Sequence, residues 1–206
     1  MNDNYLVITE KPDWVSWNDI HEVLWKAHEK NRQKGIKMRK PGLTGDEIKK
    51  ELGECGVMLV ALDGKKRVGS AALIPKSNET WYNNGVYGYM CFAGVIPEYS
   101  GRGIYKLLYE RRETIAKEMG ITKLLFDTHV KNKIIIHVNK ENGFKKVAVK
   151  KCGDHYNAVL FKWLDGSPFS NYRCFYEFNK QKMTMRLKDF IKNIIEICSN
   201  ASRKLF

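Results

Sequence analysis

Hydrophobic positions along the chain follow two periods. Alternation, or a short apolar run bounded by turn residues, predicts strands over residues 5–9, 57–62, 67–75, 87–96, 123–130, 144–150 and 157–163. Helical spacing predicts helices over 14–34, 44–53, 103–119 and 131–141. In the first helix Trp17, Ile20, Val23, Leu24 and Ala27 share a face, and Trp14, Trp17 and Trp25 are read as core-packing residues. Thr44 and Glu47 form a capping-box pair at the start of the second. In the third, Ile104, Leu107, Leu108, Ile115 and Met119 are expected on one face, with Gly120 ending it. Asp63-Gly64 is a hairpin turn, and Cys152-Gly153-Asp154 joins the last two strands. The order β-α-α-β-β-β-α-β-α-β-β is that of a mixed α/β chain with antiparallel meanders and one central βαβ unit.

The junction after the fourth strand stands out chemically. Residues 87–96 run into Pro97, then the turn Ser100-Gly101-Arg102-Gly103, then a helix. Backbone N–H groups converge there at the positive end of a helix dipole. Two glycines permit φ > 0 and close approach, and Arg102 adds a fixed charge. Such a turn suits a phosphate or pyrophosphate. It is not a Walker A loop, since no G-K-[ST] follows, and it lacks the third glycine of a dinucleotide fingerprint.

Composition narrows the class. A length of 206 residues suits one domain with an appendage. Apolar runs are far shorter than the ~20 residues that cross a bilayer. The amino-terminal stretch is neither basic nor apolar, so a cytoplasmic location is expected. Five scattered cysteines without a C-x-x-C pair point to free thiols and no metal site. The net charge of +13 is spread along the whole chain. Attraction of an anionic ligand explains this better than nucleic-acid binding, for which no motif is present.

The segment V-I-P-E-Y-S-G-R-G-I-Y-K-L-L, in this element order, resembles the GNAT superfamily of acetyl-CoA-dependent N-acetyltransferases. Ser100, Gly101, Arg102, Gly103, Ile104 and Tyr105 fill the six positions of that family's [Q/R]-x-x-G-x-[G/A] motif. Ser100 and Tyr105 depart from it. Asn132, Gly143 and Phe144 are similar to the family's N-x-x-A-x-x-x-Y-x-x-x-G-F segment, with Asn139 at the tyrosine position. The resemblance implies a mostly antiparallel sheet of six to seven strands flanked by helices. It also implies a pair of splayed strands that holds acetyl-CoA as cosubstrate. Backbone groups of Phe92, Ala93, Gly94 and Val95 would pair with the pantetheine arm. Amides from Arg102 to Tyr105 would take the pyrophosphate, and Asn132 would help to hold the coenzyme.

Acetyl transfer needs a neutral amine, a polarised thioester and a stabilised leaving thiolate. The resemblance expects a tyrosine at Asn139 as proton donor, and an amide cannot supply one. Tyr105 and Tyr99 are near in sequence. Asp127 and His129, two residues apart on one strand, are the candidate base and its orienter, against purely structural roles for both. Cys91 reads as a buried inert thiol.

A boundary is expected at Asp165-Gly166-Ser167-Pro168, with the acetyltransferase domain over 1–165 and an extension over 166–206. The extension holds an aromatic segment and a basic amphipathic helix. Docking on the core or on a second copy in a homodimer is favoured over contact with a membrane surface. The expected function is acetyl transfer to a primary amine of a small molecule, an amino sugar first, in a ternary complex. The alternative is a catalytically weak acyl-CoA-binding module.

Overall fold

A computed structural model describes residues 6–38, 42–77 and 86–164. The extension over 166–206 lies outside the described residues, as do Tyr5 and residues 39–41 and 78–85. In chain order the elements are β1 (Leu6–Glu10), α1 (Trp17–Ala27), α2 (Glu29–Gln33), α3 (Gly45–Leu52), β2 (Val57–Asp63), β3 (Lys66–Ser77) and β4 (Val86–Val95). A 3-10 turn (Pro97–Tyr99) leads into α4 (Ile104–Glu118), followed by β5 (Lys123–His129), α5 (Lys133–Glu141), β6 (Lys145–Cys152) and β7 (His155–Trp163). The sheet order is β1-β2-β3-β4-β5-β7-β6. Every pairing is antiparallel except β4 with β5.

Both faces of the sheet are covered, which is why β2 reads as an unbroken apolar run. Leu59 and Ala61 pack toward α4, with Ile104, Leu108 and Ile115. Met58, Val60 and Leu62 pack the other way, with Ile20 and Leu24 of α1 and Ile48 and Leu52 of α3. A third cluster, with Leu125, Val147, Val159 and Phe161, holds the β5-β7-β6 half together.

The structure revises two helices. The expected helix over 14–34 starts only at Trp17, behind a reciprocal cap between Ser16 and Asp19, and breaks at His28. Trp14 and Trp25, expected in the core, are 54% and 46% exposed, because Ile20, Val23 and Leu24 take the buried stripe. On α4, Leu107 and Met119 are exposed, whereas Tyr109, Arg112 and Ala116 are buried. Leu107 points off the packed face, and Met119 sits at the C-cap beyond the last turn. The capping box of Thr44 and Glu47 forms as expected.

Candidate active site

β4 and β5 are paired only at Gly88 with Leu124 and Tyr89 with Leu125. Past those residues the strands part. The register of β3 against β4 shifts between Ser70 and Ala72, and opposite that shift Phe92 has φ 49°, a left-handed conformation costly for a residue with a Cβ. Two side chains hold the distortion. The Ser70 hydroxyl donates to the Phe92 carbonyl at 3.2 Å. His28 Nε2 lies 3.0 Å from the Ala93 carbonyl, and Asn31 Nδ2 lies 3.2 Å from His28 Nδ1. A carbonyl only accepts, so Nε2 carries the hydrogen and Nδ1 accepts from Asn31. Burial pushes the His28 pKa down, the nearby Arg32 charge acts the same way, and the bond to Ala93 opposes both. The ring is neutral at neutral pH. Gly94 is required at this contact, because a Cβ there would lie 2.7 Å from the Ala27 Cβ.

The parted strands enclose a slot of about 70 Å³, bordered by His28, Phe92, Ala93, Tyr105, Asn132 and Ile135. At one end lies the glycine turn. Gly101 and Gly103 have φ of 81° and 77°, and a Cβ on either would meet no protein atom within 4 Å. Their role is thus backbone conformation, with open space in front. Gly103 is the N-cap of α4, no side chain caps that end, and the first turn holds no acidic residue. The first amides of α4 are therefore presented to an anion. Ser100 ends the 3-10 turn, and Arg102 lies 4.6 Å over the Tyr99 ring. The Ile104 side chain is buried in the core, so only its backbone faces the turn.

Beside the slot is a larger cavity of about 610 Å³, whose walls include Lys37, Lys76, Tyr87, Asp127, His129 and Lys150. Tyr89, Asp127 and Thr128 border both spaces. The Asp127 side chain is 7% exposed, accepts from the Tyr89 hydroxyl and from Asn157 Nδ2 at 2.7 Å, and forms an ion pair with Lys150 Nζ at 3.4 Å. Register explains the last two: β7 lies between β5 and β6, with Asn157 opposite both His129 and Lys150. Burial raises the Tyr89 pKa, and the Asp127 charge adds to it, so this phenol stays protonated.

Asp127 and His129 stand in the same cavity wall. Both border the larger cavity, but no hydrogen bond joins them. His129 Nδ1 accepts from the Lys131 amide at 3.0 Å, and the ring stacks on His155 with centroids 5.2 Å apart. Burial, then the charges of His155 and Lys131, lower its pKa. In the neutral ring the hydrogen sits on Nε2, so His129 turns a donor, not a lone pair, toward the cavity.

Residues 17–144 match the family model described as the acetyltransferase (GNAT) family. The chain belongs to the GNAT acetyltransferase family. A comparison with curated protein sequences finds no match. Among solved structures, an acetyltransferase from Streptococcus agalactiae 2603 superposes with a TM-score of 0.59 at 19% identity, covering 77% of this chain and 98% of that one. Aminoglycoside 6'-acetyltransferase type Ii gives 0.61 at 15% identity, with 79% and 99% covered. The ribosomal-protein-S18-alanine N-acetyltransferase from Escherichia coli gives 0.59 at 13% identity, with 78% and 94% covered.

GNAT membership implies acetyl-CoA as cosubstrate, and the residues present fit it. The uncapped turn suits its diphosphate, and the narrow slot suits its arm. The coenzyme supplies the activated acetyl group; the protein has to bind, align and receive charge. Asn132 borders the slot at the start of α5, its amide bonded to the Thr128 hydroxyl at 3.2 Å. Val95 ends β4. Asn139 does not border the slot. It is 2% exposed and stands behind Tyr105, its Nδ2 3.1 Å from that hydroxyl. Cys91 is buried, as expected.

Sequence reasoning missed His28, Tyr89, Asn157, Lys150 and Arg112. For Arg112 a signal exists: it is a charged residue in line with Ile104, Leu108 and Ile115 on the buried face of α4. The others are marked by nothing local, since each acts on a residue more than 20 positions away.

Proposed function

We propose that this GNAT protein transfers the acetyl group of acetyl-CoA to a primary amine of a small molecule, by direct attack in a ternary complex. The observation that carries the reading is the wall shared by the slot and the larger cavity, where Asp127 faces both. This carboxylate therefore borders both the space for an amine and the slot.

The Asp127 role follows from relative basicity. A carboxylate is a far weaker base than an alkylamine. Asp127 therefore orients the incoming nitrogen and accepts a hydrogen bond that strengthens as the nitrogen gains positive charge on attack. The proton itself leaves to solvent. Lys150 already places an ammonium 3.4 Å from this carboxylate, which supports the site as a place for a cationic nitrogen. The Ala93 carbonyl is held by His28, which keeps the distorted β4 backbone from relaxing against the amine.

The acceptor is proposed to be a polar amine, with an amino sugar first. Tyr87 and Tyr89 supply flat walls, and Asp127, His129 and Lys150 supply polar contacts. Structural neighbours named for aminoglycoside and spermidine acetylation fit a small amine, and the S18-alanine enzyme marks a protein amine as the competing choice. A panel of amino sugars, polyamines, amino acids and peptide amino termini, assayed by thiol release from acetyl-CoA, tests the reading. Turnover on an amino sugar above the other classes supports it. Tight coenzyme binding with no turnover on any amine replaces it with a binding module.

A further inference from the structure

Near the slot sits a buried cation that pairs with no carboxylate among the described residues. Arg112 is 2% exposed on the packed face of α4. Its Nε donates to the Leu108 carbonyl at 3.3 Å, and a terminal nitrogen lies 3.5 Å from the Ala72 carbonyl. Among the described residues no carboxylate pairs with it. Burial lowers its pKa, yet a guanidinium keeps its proton at any working pH. A buried charge without a counter-charge is costly.

Two helical turns earlier, Tyr105 points the same way. Its hydroxyl lies 3.1 Å from Asn139 Nδ2, and the two residues Tyr105 and Arg112 interact electrostatically. The direction of the Asn139 bond is decided by a second partner. The same Nδ2 lies 2.9 Å from the Ile135 carbonyl, which only accepts, so the atom facing Tyr105 is an amide nitrogen. Arginine likewise has only donors. The Asn139 amide thus occupies an acceptor position of the phenol oxygen, Arg112 adds only further donors nearby, and the phenol hydrogen points away from Asn139. Among the described residues no acceptor is bonded to that hydrogen. Tyr105 borders the slot together with Cys91, Phe92, Ala93 and Asn132.

We propose that Tyr105, backed by Arg112 and oriented by Asn139, donates its hydroxyl hydrogen to the sulfur that departs from the acetyl group. This rests on the slot being the site of the thioester. The step balances without another reactant. The carbon–nitrogen bond forms, the carbon–sulfur bond breaks, its electron pair goes to sulfur, and Tyr105 hydrogen-bonds the resulting anion. The surplus proton on nitrogen passes to solvent. Arg112 strengthens the donor by polarising the hydroxyl and supplies the positive charge that the transient anion meets. The position at which a tyrosine is expected, Asn139, becomes the one that aims a tyrosine on the neighbouring helix.

Tyr105→Phe removes a single oxygen, and its melting curve reports whether the fold survives. Calorimetry with CoA is expected to give nearly the wild-type affinity, since the diphosphate contacts lie on the backbone. The decisive readout is the ultraviolet thiolate absorbance of bound CoA followed against pH. A hydrogen-bonded thiolate is favoured, so the bound thiol should titrate lower in the wild type than in Tyr105→Phe, by about one to two units. With acetyl-CoA and an accepted amine, kcat of the variant should fall roughly ten- to a hundredfold. Arg112→Met should move the thiol titration in the same direction. Coincident titration curves for wild type and Tyr105→Phe overturn the proposal while leaving the family function intact. Absence of any calorimetric signal with CoA overturns the slot reading and this proposal together.

Discussion

At Asp127, two hydrogen-bond donors and one ammonium, from three strands, meet one carboxylate. None of them is negative, and two are neutral, so the group remains available to a cationic nitrogen. Asp127→Asn keeps the shape and loses the charge. Acetyl transfer to the preferred amine is expected to fall roughly ten- to a hundredfold, with coenzyme affinity unchanged. Steady-state kinetics beside calorimetry checks this, and a matching loss of CoA binding would reassign Asp127 to the coenzyme. His28 makes a prediction of a different kind. Its folded pKa and that of His129 lie below the ordinary 6.5. Below about pH 6.5 the unfolded chain therefore binds protons that the folded chain refuses. Stability should hold above pH 6.5 and decline as the pH falls below it, until the folded rings titrate. Melting temperatures between pH 7.5 and pH 5 read this, and the decline should be smaller in His28→Gln.

Among the elements, α3 depends on its ends. Thr44 accepts from the Glu47 amide at 3.3 Å, and the Glu47 carboxylate accepts from the Thr44 amide at 2.8 Å. Thr44→Ala is expected to cost about 1 kcal/mol, measured by urea unfolding. An unchanged midpoint would mean that Ile48 and Leu52, packed on the sheet, hold the helix alone. The start of α4 is built by the opposite rule. No side chain caps it, and its first turn holds no acidic residue. α4 is tied down further along, where Lys162 of β7 donates to Glu113 at 2.7 Å and to the Tyr109 hydroxyl at 2.6 Å. The Glu113 carboxylate is lowered in pKa: burial opposes the shift, but the bonds from Lys162, Tyr109 and Lys117 outweigh it. The helix is thus anchored along its length and left without a side-chain cap at its start.

For the molecule as a whole, the sheet is two halves joined by a short parallel seam. β1 to β4 form one half and β5, β7 and β6 the other, linked at Gly88 and Tyr89. A ligand laid between β4 and β5 completes the seam and should slow hydrogen exchange across it. Adding CoA is expected to protect amides of β4 between Met90 and Val95 together with those at the start of α4, while β1 and β2 stay unchanged. Protection confined to α4 would place the arm outside the slot. The net charge of +13 should make coenzyme affinity fall as salt rises. Among the described residues no helix is long and apolar enough to cross a membrane.

The chain's local patterns already determined much of this protein. Element order, the hairpin at Gly64, the cap at Thr44 and the glycine turn before α4 follow from spacing and from residues that act on their immediate neighbours. Burial on one face or two writes a period into the sequence, and a period can be read without coordinates. What only the tertiary structure decided is which polar groups meet. The bulge at Phe92, the grip of His28 on Ala93 and the donors around Asp127 join residues far apart in the chain. So does the stack of Tyr105, Asn139 and Arg112, which spans two helices. Hydrogen bonds between distant residues depend on strand register and helix placement, and neither leaves a periodic trace. For that reason the glycine turn before α4 was visible in the sequence, whereas the separate hydrogen-bond partners of Asp127 and His129 and the place of Tyr105 beside the slot came from the fold.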